Sequence, residues 1–113
     1  METKELMIGD KVMVKVLSQI PDTYVLHTWT ANDYSRDLQV KPIPLTAKIL
    51  EKNGWWYNVE DMWLHDEIDF SIEKWNGKFQ CYDINQIKLY SVHQLQQILR
   101  LCGLKELADN FKV

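Results

Sequence analysis

Apolar and polar residues alternate from Lys11 to Val16, with Val12, Val14 and Val16 on one side and Lys11, Met13 and Lys15 on the other. A two-residue period is that of a half-buried strand. Gly9-Asp10 supplies a tight turn just before it. Tyr24 to Thr30 favours extended backbone through Tyr24, Val25, Thr28, Trp29 and Thr30, so a second strand is predicted there, with Pro21-Asp22 as the turn between the two. Ala31 to Pro44 reads as the one loop-like interval, and Val40 closes a short third strand before Pro42.

The period then changes. Thr46 is placed to cap a short helix, its hydroxyl accepting an otherwise unpaired backbone N–H. Leu45 and Leu50 have the spacing of a hydrophobic staple. Asn53-Gly54 ends the helix, because Gly takes the left-handed C-terminal geometry without penalty. Ile49 and Leu50 form its apolar edge, so it is predicted to lie on a sheet. Trp55 to Val59 and Met62 to Leu64 read as strands joined by a turn at Glu60-Asp61.

Asn76-Gly77 between two extended runs is the preferred pair for a two-residue type I′ hairpin. That turn sets Trp75 opposite Lys78, Ile72 opposite Cys81 and Phe70 opposite Asp83. Ile68, Phe70, Ile72, Phe79 and Cys81 then share one face, and Asp69, Ser71, Glu73, Trp75, Lys78, Gln80 and Tyr82 the other. The apolar residues segregate under the register that the turn demands. Beyond it, Ser91 and Gln94 have capping-box spacing. Val92, Leu95, Ile98, Leu99 and Cys102 make a helical stripe that Gly103 stops, with His93, Gln94, Gln96, Gln97 and Arg100 on the polar side. Leu104, Leu107, Ala108 and Phe111 predict a further helical turn or two. This helix is expected to cover a sheet. The class is α+β: a curved antiparallel sheet, small-barrel-like in its N-terminal part, with a short middle helix and a C-terminal helix. At 113 residues the chain fits a single domain spanning 1–113.

Charge narrows the functional classes. Residues 1 to 54 hold seven Lys+Arg and seven Asp+Glu, and residues 55 to 113 hold six and nine, so the whole net charge of −3 lies in the second half. Part of it is the run Glu60, Asp61, Asp66, Glu67, Asp69 and Glu73, which reads as a solvated face. Binding to nucleic acid needs clustered Lys and Arg, and no sequence cluster provides it. Only Lys11, Lys15, Lys41 and Lys48 are candidates for a local basic patch. The two cysteines, Cys81 and Cys102, make neither a C-x-x-C pair nor a disulfide framework, and both read as buried small hydrophobes. No run approaches bilayer-spanning length, and no export segment follows the N-terminus, so the expected compartment is the cytoplasm with no membrane contact.

Candidate chemistry is sparse. The three histidines, His27, His65 and His93, lie in different elements, whereas zinc needs three or four convergent ligands. His65 and Glu67 share a strand face, but the solvated acidic turn is the preferred reading, and no metal or other cofactor is expected. His93, in a helical first turn, reads as a surface residue. No nucleophile elbow or Gly-rich phosphate loop is present, and a carboxylate pair for acid–base work could come only from the common spacing of Asp66, Glu67 and Asp69, a weak signal, so a non-enzymatic role is expected. Thirteen aromatic residues remain as the one feature suited to a contact surface. Trp75 and Tyr82 fall on the polar face of the hairpin, and Trp55, with Trp56 and Tyr57, puts rings on both faces of its strand. The candidate binding residues are Trp75, Tyr82, Trp55 and Trp63, with burial in the core as the competing reading.

Two resemblances add to this. Ile8-Gly9-Asp10-Lys11-Val12 resembles the first strand of small barrels of the Src-homology-3 type. Lys41-Pro42-Ile43-Pro44-Leu45-Thr46, then Ile49-Leu50-Glu51-Lys52-Asn53-Gly54, then Val92-His93-Gln94-Leu95-Gln96, resemble in that order a family of small proteins of gut bacteria and their phage-like or mobile elements. The likeness runs from the Gly9 turn to the C-terminal helix and brings no activity, cofactor or catalytic residue with it. Family members vary across the middle hairpin. The function expected is a non-catalytic interaction module that binds a protein partner, or a second copy of itself, through an aromatic patch or a sheet edge. The alternative is a nucleic-acid-associated small-barrel module of a mobile element.

Overall fold

A computed structural model of the chain describes residues 2–15, 23–58, 61–82 and 87–113. Its helices and antiparallel strands form two compact units, Met1–Ile43 with Ser91–Phe111, and Pro44–Tyr90 with Lys112–Val113. The α+β class is as the sequence predicts. The strands divide between two sheets, one of three and one of five, and neither closes on itself.

In the first unit, β1 (Lys11–Lys15) is central, with β2 (Tyr24–Thr28) and β3 (Val40–Lys41) antiparallel on either side. Val12 and Val14 are buried beneath the sheet and join Leu6, Trp29 and Val40 in one apolar cluster. Val16, Pro21 and Asp22 lie outside the described residues. The second strand is shorter than predicted. Trp29 N–H donates to Asp10 O at 2.8 Å, but Thr30 leaves the strand to form a capping box over a 3-10 turn at Ala31–Ser35. Asp33 organises that turn. Its Oδ2 accepts the Thr30 N–H at 2.8 Å, the Thr30 hydroxyl at 2.9 Å and His27 Nε2 at 2.7 Å, and Arg36 reaches its Oδ1 at 3.3 Å. Burial alone raises the Asp33 pKa, but His27 and the two Thr30 donors together hold it down at about 2.

Two helices complete the unit, α2 (Val92–Leu101) and α3 (Lys105–Asp109). Ser91 and Gln94 form the predicted capping box, Gln94 Oε1 accepting the Ser91 N–H at 3.1 Å. The stripe of Val92, Leu95, Ile98 and Leu99 is buried, and α2 packs against β1. Three assignments change. Cys102 caps the helix at its C-terminus and is exposed, whereas Cys81 is buried. His93 is buried, not a surface residue. Its partner is Ser91 Oγ at 3.1 Å, and burial pushes the imidazole pKa down, against the pull of Asp10 and Glu5. Gln96 is fully buried. Position 96 lies four residues after Val92 and three before Leu99, so helical geometry sets it within the stripe whatever its polarity. Its Oε1 accepts the Lys11 N–H at 2.8 Å, and its Nε2 donates to Gly9 O at 3.0 Å and Ala108 O at 2.8 Å. One amide thus fastens β1, the turn before it and α3.

Beside Gln96 lies a buried ion pair. Asp10 is 0% exposed, and Arg100 Nη1 donates to its Oδ1. Met7 N–H at 2.9 Å and Gln97 Nε2 at 2.8 Å supply the other carboxylate oxygen. Gly9 lets the guanidinium approach. At φ +96° it takes a conformation other residues rarely adopt, and a Cβ there would stand 2.8 Å from Arg100 Nη2.

In the second unit α1 (Ala47–Lys52) begins at Thr46, whose Oγ1 accepts the Ile49 N–H at 3.3 Å. Leu45 and Leu50 of the staple are both buried. Asn53 follows, and its side chain exchanges hydrogen bonds with the Lys112 backbone at 2.8 and 2.7 Å. Five strands run in sequence order: β4 (Trp56–Asn58), β5 (Met62–His65), β6 (Ile68–Trp75), β7 (Lys78–Cys81) and β8 (Lys88–Leu89). Val59, the predicted end of the first of these strands, Glu60, from the predicted turn after it, and Asp83 lie outside the described residues. The β6–β7 register is the one the turn demands, with Trp75 opposite Lys78 and Ile72 opposite Cys81. Ile68, Phe70, Ile72, Phe79 and Cys81 are all buried. β8, which the sequence reading lacks, pairs Leu89 with Phe79 and Lys88 with Gln80.

Two outcomes test the first unit. Arg100→Ala leaves the Asp10 carboxylate buried with its cation gone, at a cost of about 3–5 kcal/mol. Urea denaturation is expected to show a lower midpoint with an unchanged slope. Asp33→Asn tests the turn. The folded carboxyl titrates near 2 and the unfolded one near 3.8, so its stabilisation is complete above the unfolded value and disappears as pH falls through the folded one. The variant is expected to be less stable than the parent at neutral pH, with the gap narrowing between about pH 4 and pH 2 in urea titrations run across that range.

Candidate binding surface

The four ring residues singled out from the sequence separate in the fold. Trp55 and Trp63 are 3% and 5% exposed. Trp55 packs on Phe70 and His65 with ring centroids 5.8 and 5.4 Å apart. Both are core residues, so an exposed patch draws nothing from them. Trp75 and Tyr82 are 54% and 53% exposed. They lie on the same outer face of the five-stranded sheet, because they belong to the same alternation as Glu73 and Gln80, which pair directly. Tyr82 extends that ladder, its N–H donating to Ser71 O at 3.0 Å.

The structure adds two rings to this face. Tyr90 follows Lys88 by two residues and is 53% exposed. Trp56 precedes Asn58 by two; Asn58 pairs with Met62, and Met62 with Glu73, which puts Trp56 on the same side. Neither was singled out from the sequence. The Lys88-Leu89-Tyr90 alternation is the pattern that marks β8, but at two residues it is too short to stand out.

Lysines accompany the rings. Lys88 Nζ lies 5.2 Å from the centre of the Trp75 ring and Lys78 Nζ 5.6 Å from that of Tyr90. Each exposed cation–π contact contributes about 0.5–1 kcal/mol. The rings are therefore held in place without being covered. Between them, Gln80 Nε2 donates to Glu73 Oε2 at 3.2 Å. At the β4 end, Trp56 Nε1 donates to Asp66 Oδ1 at 3.4 Å. The face thus grades from acidic at β4–β6 to basic at β7–β8, with rings at both ends.

Elsewhere several of the candidate polar groups are engaged, whereas Trp29 Nε1, Trp63 Nε1 and Arg100 Nη2 are buried without a hydrogen-bond partner. His65 Nε2 donates to Asn53 O at 2.9 Å, and its Nδ1 accepts the Glu67 N–H at 3.0 Å. Both nitrogens are occupied by the turn they hold. Tyr57 donates to Asp61 Oδ1 at 2.6 Å, which pushes its phenol pKa up. Ser91 serves its helix cap. Among the described residues no three His, Cys, Asp or Glu side chains converge as a metal site requires. No helix among them is long and apolar enough to cross a membrane. A cleft of about 510 Å³ in the first unit is lined by Met7, Ile8, Tyr34 and Arg100 among others. Its charges are paired with one another: Arg100 with Asp10 and Asp109, and Lys105 with Asp109, whose pKa these contacts hold down, Lys105 first. Tyr34 OH donates to Leu6 O.

Comparison with family models, curated proteins and solved structures found no match to this chain.

The exposure pattern is directly measurable. Of the five tryptophans, Trp29, Trp55 and Trp63 are buried and Trp56 and Trp75 exposed. Acrylamide quenching is expected to resolve an accessible and a protected emission. Replacing Trp56 and Trp75 together by Phe is expected to abolish the accessible one.

Proposed function

We propose that this chain is a non-catalytic binding module that holds a protein partner against the outer face of its five-stranded sheet. One observation carries the reading: Trp75, Tyr82 and Tyr90 are each more than half exposed on one sheet face, beside Lys78 and Lys88. Half-exposed rings of this size present on the order of 300 Å² between them, the scale of the patches that mark contact sites on single chains. Rings at the centre with mixed charges around them, here Glu73, Lys78 and Lys88, is the anatomy of a protein interface. Aromatic residues also dominate the binding energy of such surfaces.

A second reading is favoured by the lysines alone. Rings that stack bases, with ammonium groups alongside for phosphates, make a platform for single-stranded nucleic acid. Asp69 and Glu73 on the same face, and the net charge of −3, weigh against it.

Affinity capture with the chain as bait, followed by isothermal titration of the partner recovered, tests the first reading. Trp75→Ala with Tyr90→Ala is expected to weaken binding by about 30-fold or more, since a central ring is worth about 2 kcal/mol, while lowering folding stability by no more than the about 1–2 kcal/mol that the two lysine contacts contribute. Equal affinity in the variant removes this face from consideration. A gel shift with a single-stranded oligonucleotide at low salt separates the readings, because absence of a shift ends the second.

A further inference from the structure

β2 is an open edge. Among the described residues the three-stranded sheet runs β2-β1-β3, so β2 has β1 on one side and no described strand on the other. Antiparallel hydrogen bonding alternates along a strand, and two bonds fix its phase here. Lys15 N–H donates to Gln39 O, beside β3, at 2.9 Å, and Trp29 N–H donates to Asp10 O at 2.8 Å. Val12 and Val14 therefore bond toward His27 and Val25, their register partners. Tyr24, Leu26 and Thr28 turn their N–H and C=O groups outward, away from β1.

The other sheet edges are short. β3 has two residues, one of them Lys41, and Pro42 follows; β4 has three residues. β8 has two, one of them Lys88. Shortness, charge and proline are the usual devices that keep an edge from pairing. β2 has none of them. It is five residues long, Tyr-Val-Leu-His-Thr, without Lys, Arg, Asp, Glu or Pro, and Val25 and Leu26 are 47% and 53% exposed.

We propose that β2 is a self-association edge, on which two copies of this chain join by antiparallel β2–β2 pairing centred on Leu26. The outward groups sit at 24, 26 and 28, symmetric about 26. A two-fold axis there sets Leu26 opposite Leu26 of the second copy and Tyr24 opposite Thr28, and every outward N–H meets an outward C=O. This self-complementarity selects a second copy as occupant. Val25 falls opposite His27, no carboxylate or ammonium of β2 meets its like, and the two exposed apolar side chains gain cross-strand neighbours. The product is a continuous six-stranded sheet. It uses the first unit alone and does not depend on the ring face of the second.

Sedimentation velocity from micromolar to near-millimolar chain is expected to show the mass doubling with concentration. Leu26→Pro removes an outward N–H and none directed at β1, as edge strands tolerate, so the variant is expected to keep its far-ultraviolet circular dichroism and lose the dimer. Cross-linking reads the register separately. In a Cys102→Ser background, Leu26→Cys places two thiols on residues about 5.5 Å apart between Cα atoms, and oxidation is expected to give a covalent dimer. Val25→Cys, two positions out of register with its copy, is expected to give none. A chain monomeric at every concentration, a dimer that survives Leu26→Pro in folded protein, or equal cross-linking through positions 25 and 26 overturns the proposal.

Discussion

The turn at Asn76-Gly77 decides which side chains of the five-stranded sheet meet water. Both residues have positive φ, 52° and 75°, the conformation of a type I′ turn, whose twist matches that of the strands it joins. With only two residues in the loop, Trp75 and Lys78 must face one another. Every other side chain of β6 and β7 is then assigned to a face by alternation. A one-residue slip would carry Phe70 and Ile72 into solvent and drive Glu73 and Trp75 into the core. Burial of Ile72, Cys81 and Phe79 and exposure of Trp75 and Tyr82 are thus two sides of one constraint. The exposed ring face is a by-product of the same register that builds the core.

The first unit is held differently. Polar groups buried among its apolar residues do much of the joining. Gln96 satisfies three backbone groups from segments far apart in sequence. An apolar residue there would leave those groups unpaired, and a buried unpaired group costs about 1–3 kcal/mol. Asp10 and Arg100 add a second tie, to which Met7 and Gln97 contribute. Such arrangements demand one geometry, because their hydrogen bonds are directional where apolar packing is not.

This difference explains what was legible in the sequence. The hairpin could be read because its signals are local: a turn pair and an alternating pattern that agree over a dozen residues. The cap at Thr46 and the box at Ser91 and Gln94 were readable for the same reason. Helix α2 was misread on one side because Gln96, His93 and Arg100 were sorted by polarity, whereas their spacing of three and four sets them against neighbours distant in the chain. Nothing near Gln96 in sequence names Gly9 or Ala108 as its partners. β8 was missed because a two-residue strand exists only through the ladder it joins. Trp55 and Trp56 show the limit for an exposed ring surface: adjacent residues of one type take opposite fates, and only the sheet register says which is which.

The partition of the rings bears on why they are exposed at all. All three Phe residues, Phe70, Phe79 and Phe111, are buried, and so are Trp29, Trp55 and Trp63. No Tyr reaches that degree of burial, and Trp56 and Trp75 remain outside with Tyr34, Tyr57, Tyr82 and Tyr90. Tyr34 and Tyr57 still pack edge-on against the buried Trp29 and Trp63, whereas Trp75, Tyr82 and Tyr90 stand on the outer sheet face. A ring that contributes little to burial is cheap to replace by a polar residue as far as folding is concerned. Four such rings lie on one sheet face, two of them beside lysines, and the area they leave open is the feature on which the proposed binding role rests.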